Sequence, residues 1–528
     1  MTFTSWQYAL FLPLVVLLYW PLPRLGRMGL LLVASYFFYG MWDLRFLALI
    51  MASTGIDFFC ARSLVGAREW RGKVILTTLA PLLWLGGCAV FAQDRVVISQ
   101  ASLIVAAVFP LLFVPVHEWL WTWPEAARRR GFLWLSILTN LAVLGFFKYF
   151  GFFADSLVSL LGSAGIDPGW TLPQIILPVA ISFYTFQSVA YAVDVYKGKV
   201  EPAPDLLTFS AYLAFFPQLV AGPIERPGKF MPQFTQAAVW EWDHLHAGLR
   251  LLLIGAFKKV FVADNCAIIA NYVFNSGSTP NAPWALLGIF AFAFQIYGDF
   301  SGYTDLARGS ARLMGIRLSM NFRFPYLATG PSDFWQRWHM TLSSWFRDYV
   351  YIPLGGNRAG PSRTVVNLWI TMLLAGLWHG ASWTFVLWGG YHAALLTLYR
   401  IVPALGRLET TALEEACTWP RRVLAISLMF TFTLFGWAIF RAQTLPQLGV
   451  WLNALTDWTA GEDWTKPALW LVLHILPLIL LQLLTLKPRD EAELTRLPWV
   501  ARGLVFFLLF VAFVSSLSTE QEFIYFQF

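Results

Sequence analysis

Long apolar runs recur along almost the whole of this 528-residue chain, and they decide the solvent in which it folds. A helix that crosses the roughly 30 Å hydrocarbon core of a bilayer needs about 20 apolar residues. Runs of that order lie at 28–60, 74–93, 98–121, 131–162, 174–196, 247–275, 283–300, 364–400, 422–442, 467–486 and 501–517. The first has room for one long helix or two short ones, and 364–400 for two helices around a Gly-rich break. Before them, Trp6 to Trp20 is read as a short, retained first membrane helix. No basic residue precedes it and no small-residue cleavage site follows it, unlike a secretory signal. The span rule predicts on the order of a dozen passes and an all-α integral membrane protein.

Charge is scarce enough to exclude the alternatives. Only 13% of the residues are charged, about half of what a water-facing surface requires. The 27 Trp suit a chain that meets two membrane–water interfaces. A net charge of +7 might suggest nucleic acid, but Lys and Arg form no single stripe. They cluster between apolar runs. Arg62, Arg68, Arg71 and Lys73 precede one run and Arg128, Arg129 and Arg130 follow the next, so two passes separate the clusters. Both then lie on the cytoplasmic side. Cys60, Cys88, Cys266 and Cys417 are far apart and form no CxxC, which fits small buried side chains.

Three regions are expected: N-terminal membrane helices over 1–173, a core over 174–400, and C-terminal membrane helices over 401–528. No soluble domain and no internal repeat of the secondary-transporter kind interrupts them. Near 205–235 and 299–363 the pattern changes to Gly, Pro, Asp, Arg and Asn among aromatics. Irregular backbone at membrane depth is tolerated only when buried in protein or lining a cavity, so these stretches are where a site belongs.

Two segments there carry titratable groups. The first runs from Asp333 through Arg337, His339, Arg347 and Asp348 to Asn357 and Arg358. The second is Gly376-Leu-Trp378-His379-Gly380, inside an apolar run. An imidazole there is expensive unless it is hydrogen-bonded or faces water. It is either a satisfied core residue or a general base beside a gap that Gly376 and Gly380 open. The same glycines also fit plain helix packing. His339, ringed in sequence by Asp333, Arg337, Arg347 and Asp348, reads on local chemistry first as part of a solvated interfacial segment with internal ion pairs. His117 looks interfacial, His244 and His246 lie in a polar loop, His474 stands alone among leucines, and His392 is a weaker cavity candidate. Ser301, in Asp299-Phe-Ser-Gly-Tyr-Thr-Asp305, reads as part of a helix-breaking turn rather than as a nucleophile. No metal-ligand, dinucleotide or Walker motif is present.

Together these segments resemble the membrane-bound O-acyltransferase family. The resemblance rests on Phe215-Phe-Pro-Gln-Leu-Val-Ala-Gly-Pro-Ile-Glu-Arg226, Tyr297 to Asp305, Asn321-Phe-Arg-Phe-Pro-Tyr326, Arg337-Trp-His339, Tyr351 to Arg358 and Gly376 to Gly380. It is nearest to the bacterial branch that acetylates exported polysaccharides, alginate among them, whose ending Phe523-Ile-Tyr-Phe-Gln-Phe528 is similar to. The region near 70–130 reads as a two-helix insertion in shorter relatives' terms.

The resemblance implies a disc of membrane helices around a central tunnel. His379 matches the family's catalytic histidine and His339 its second functional histidine. Asp333, Arg337, Asp348, Asn357, Arg358 and Trp378 would shape the substrate site. No bound cofactor or metal is implied. The donor would be an acyl thioester, acetyl-CoA or acyl carrier protein. A periplasmic partner of the SGNH-hydrolase-like type and the polysaccharide synthesis and export machinery would complete the pathway from the bacterial inner membrane. D-alanyl or lipid acyl transfer is the nearest alternative; a transporter or an assembly scaffold is more distant.

Overall fold

The computed structural model describes residues 1–91, 112–167, 169–170, 175–220, 222–236, 238–275, 280–409, 419–459, 461, 463–486, 494, 497–517, 521 and 523–524. Every extended regular element among them is helical. Five helices are long and apolar enough to cross a bilayer: Leu44–Leu64, Glu125–Ser163, Ala282–Leu313, Trp419–Arg441 and Thr465–Thr485. Trp6–Tyr19 and Trp499–Ser515 are shorter apolar helices. Such helices leave leucines, valines and tryptophans on their outer faces, among them Leu473, Leu476, Leu480 and Leu504, a surface that lipid rather than water covers.

The run at 74–93 forms the helix Arg71–Phe91 and 364–400 forms two helices, but three other predicted runs are interrupted or shortened. The run at 28–60 divides at Met41–Asp43 into Arg24–Gly40 and Leu47–Leu64. The run at 174–196 yields only the 16-residue helix Ile181–Tyr196. The run at 247–275 is broken by the π-helical segment Phe257–Ala263, which carries Lys258 and Lys259. Most of the 98–121 run, Cys417 and Tyr525–Phe528 fall outside the described residues.

The chain forms two compact units. In the unit of residues 1–244 and 311–318, α1 (Leu47–Leu64), α2 (Glu125–Leu144) and α3 (Ile181–Tyr196) pack on one another. A carboxylate inside α1 ties it to α2. Asp57, fully buried, accepts from the Ser136 hydroxyl at 2.6 Å and from the Asn140 amide at 2.9 Å. A charge at such depth survives only with donors this close. His117, expected at an interface, is buried instead, with its Nε2 3.3 Å from the Ser63 hydroxyl.

The unit of residues 245–310 and 319–528 includes α4 (Asp264–Asn275), α5 (Ala282–Leu313) up to Ser310, α6 (Pro331–Trp335), α7 (Met340–Phe346), α8 (Pro361–His379), α9 (Trp383–Ile401) and α10 (Trp419–Arg441). Its main correction to the sequence reading concerns Asp299–Asp305. That stretch is not a turn but lies in the middle of α5. Its acidic side chains do not cap; they meet buried lysines. Lys259 is 2.9 Å from Asp299 and 2.8 Å from Asp264, and Lys258 is 2.7 Å from Asp305. Gly302 allows the close approach, since a Cβ there would stand 2.8 Å from the Gly255 carbonyl oxygen. Residues that read as helix breakers are those that let charged and small-residue surfaces pack inside an apolar body.

Candidate functional site

The two helices α8 and α9 form a hairpin whose break falls at Gly380–Ser382, within the apolar run 364–400. The Ser382 hydroxyl accepts from the Phe385 N–H and caps α9. Glycine holds the hairpin together: a Cβ at Gly376 would fall on the Phe385 carbonyl oxygen, and one at Gly389 on the Met372 carbonyl oxygen. At Gly380 it would meet the Phe385 ring. The space these glycines leave is therefore filled by the neighbouring helix.

His379 ends α8, 5% exposed. Three aromatic rings stand edge-on to it: Trp388 at 4.9 Å, Trp378 at 5.0 Å and Phe440 at 5.3 Å. The imidazole lines a cavity of about 640 Å³, a size that accommodates a small organic ligand. Met340, Leu342, Phe346, Leu368 and Met372 give the cavity apolar walls. Arg323, Arg347 and Arg400 add three guanidinium groups. Apolar walls with several cations suit a ligand that has a greasy arm and an anionic head.

His339 lies elsewhere in the unit's interior. It is fully buried, is not among the cavity-lining residues, and its Nδ1 is 3.1 Å from Asn321 Oδ1. Burial pushes its imidazole down to about 3, so it is neutral at ordinary pH. Trp378 touches both histidines, its ring 5.8 Å from His339 and 5.0 Å from His379.

The other residues singled out in sequence separate into distinct places. Asp333 and Arg337 form a buried ion pair at 2.6 Å, one turn apart across the end of α6. Asp333 also accepts from the Thr329 N–H at 3.0 Å, while its own N–H donates to Glu409 at 2.8 Å. Neither lines the cavity. Asp348 pairs with Arg347 at 2.8 Å near the surface, and only Arg347 reaches the cavity wall. Asn357 and Arg358 are exposed and away from it. His392, a possible cavity residue in sequence, is enclosed instead by Trp388, Trp335 and Phe334. The sequence reading passed over Arg323 and Arg400. Arg400, at the end of an apolar helix, carried only the signal of an ordinary loop-side cation.

The geometry can be set beside known proteins. The model of the membrane-bound O-acyltransferase family matches residues 202–440. The probable alginate O-acetylase AlgI of Pseudomonas putida is 35% identical over 98% of each chain. The peptidoglycan O-acetyltransferase of Helicobacter pylori is 36% identical over 70% of this chain and 72% of its own. The teichoic acid D-alanyltransferase of Bacillus subtilis is 30% identical over 50% of this chain and 69% of its own.

Proposed function

The chain belongs to the membrane-bound O-acyltransferase family, and from that premise we propose that it carries acetyl groups from a cytoplasmic thioester toward an exported polysaccharide. Membership makes it an acyltransferase of a membrane. The relatives named for alginate and peptidoglycan acetylation support an envelope polysaccharide as the final acceptor. The observation that carries the reading is the cavity beneath His379, with its apolar walls and three arginines.

The donor, acetyl-CoA or an acetylated acyl carrier protein, lays its thioester arm along the apolar wall. Its phosphates face Arg323, Arg347 and Arg400. His379 acts as general base: it takes the proton of the acceptor hydroxyl, whose oxygen attacks the thioester carbonyl carbon. The C–O bond forms, the C–S bond breaks, and the proton passes from His379 to the leaving sulfur. The tunnel that the family implies would bring donor and acceptor from opposite sides of the bacterial inner membrane. A periplasmic SGNH-hydrolase-like partner then passes the acetyl group to the sugar, within the synthesis and export machinery. The D-alanyltransferase relative favours D-alanyl transfer as the second reading.

General-base assistance is worth about 10²–10⁴ in rate. His379→Ala is therefore expected to lower acetyl transfer by that factor with normal amounts of protein. Mass spectrometry of the cell envelope identifies the group transferred. Wild-type acetylation by the variant refutes the assignment, and D-alanyl esters in place of acetyl esters replace the first reading by the second.

A further inference from the structure

His339 is held in a backbone conformation that its side chain disfavours. It stands at φ 42° and ψ 54°, in the left-handed region, which a non-glycine residue keeps only where its surroundings impose it. Two backbone hydrogen bonds impose it. The Met340 N–H donates to the Asn321 carbonyl and the Arg323 N–H to the Arg337 carbonyl, each at 2.9 Å.

Asn321, itself fully buried, sets its side-chain oxygen beneath this turn. That oxygen accepts from the Thr341 hydroxyl at 2.9 Å and from the Thr341 backbone N–H at 3.2 Å, and lies 3.1 Å from His339 Nδ1. A backbone N–H can only donate, so the atom it meets is the oxygen of the amide, and the amide's orientation is fixed. An oxygen that only accepts requires the proton on Nδ1. A neutral imidazole protonated there carries a bare lone pair on Nε2. That Nε2 is buried and meets no hydrogen-bond partner among the described residues. Aromatic rings pack edge-on to the imidazole, Phe300 with ring centres 4.7 Å apart and Trp378 with ring centres 5.8 Å apart.

We propose that Asn321 is a positioning residue that locks His339 in the Nδ1–H tautomer, reserving its Nε2 to accept a hydrogen bond from an O–H or N–H of a substrate. The proposal rests on the acyl-transfer reading above. It excludes donation from Nε2 to a developing oxyanion as the role of His339. A buried acceptor is costly to leave without a donor, and a substrate O–H or N–H would satisfy it.

The test uses the purified full chain in detergent with an acetyl thioester donor. Asn321→Ala frees the imidazole, and turnover is expected to fall about 10²-fold, the size of a small misplacement near the chemistry. Asn321→Asp keeps an accepting oxygen in place. It retains most turnover while moving the pH profile upward, because a carboxylate favours the imidazolium. The double variant N321A/H339A loses no more than H339A, since Asn321 acts through that ring. A rise in KM for the donor or for the acceptor tells which of them carries the hydrogen-bonding group. Wild-type turnover by N321A, or losses that multiply in the double variant, overturn the proposal. A second measurement needs no turnover. Nitrogen-15 NMR of histidine-labelled protein, with H339Q identifying the signal, is expected to show a pyrrole-type Nδ1 and a pyridine-type Nε2. The opposite tautomer overturns the role of Asn321, whereas absence of acyl turnover by the wild type strikes the acyl-transfer reading instead.

Discussion

Arg337→Met removes one half of the buried pair that sequence reading placed at the substrate site. Asp333 and Arg337 are 2% and 4% exposed and lie 2.6 Å apart. Breaking such a pair from one side costs about 3–5 kcal/mol, because the remaining charge is left buried without its counter-ion. Asp333 keeps the Thr329 N–H and hydroxyl as donors, which places the loss near the lower end. Glu409, whose Oε1 takes the Asp333 N–H, works the other way by leaving a second carboxyl beside the first. We therefore expect about 3 kcal/mol, roughly two orders of magnitude in the folding equilibrium. The double variant D333N/R337M keeps an acceptor for Thr329 but carries neither charge, and is expected within about 1 kcal/mol of wild type, since a buried pair replaced as a whole is often neutral. Equilibrium unfolding of the detergent-solubilised protein measures both values, with turnover measured on the same samples. Two results would refute the reasoning: R337M within about 1 kcal/mol of wild type, or a stable double variant with a tenfold higher donor KM. The second would return the pair to the donor's path.

Other expectations follow from the same structure. Arg400→Gln and Arg347→Gln should raise the KM of a phosphate-bearing donor with little change in kcat, and the wild-type KM should itself rise with salt because Arg347 is exposed; steady-state kinetics across ionic strength decides this. Gly376→Val should lower the thermal midpoint, as the added carbons fall on the Phe385 carbonyl; an unchanged midpoint would mean the hairpin is looser than it looks. His339 has its folded pKa depressed to about 3 from an ordinary 6.5, so the unfolded chain takes the proton first on acidification. Its contribution to stability is present above 6.5 and lost as pH falls toward 3. H339Q should flatten that acid limb in unfolding experiments, and an unaltered limb would assign it to other groups.

The membrane body was legible in the sequence because apolar run length and scarcity of charge report on solvent, and solvent acts on every residue alike. The hairpin around Gly380 was legible too, and His379 stood out as a candidate there, since an imidazole flanked by glycines in an apolar run is locally anomalous. Position in the interior was not. Asp299–Asp305 has the composition of a turn, yet Lys258 and Lys259 satisfy its carboxylates and a neighbouring helix fills its glycine gaps. Asp333 and Arg337 look like surface charges until their distance to each other is known. Arg323 and Arg400, distant in sequence, become cavity residues only when the chain brings α9 beside the segment before α6. Asn321 gains its meaning from Thr341 and His339, 20 and 18 residues away. Hydropathy and spacing are local sums that a one-dimensional string contains. The pairing of buried charges, the tautomer of an imidazole and the walls of a cavity depend on distances across the fold, and the tertiary structure decides them.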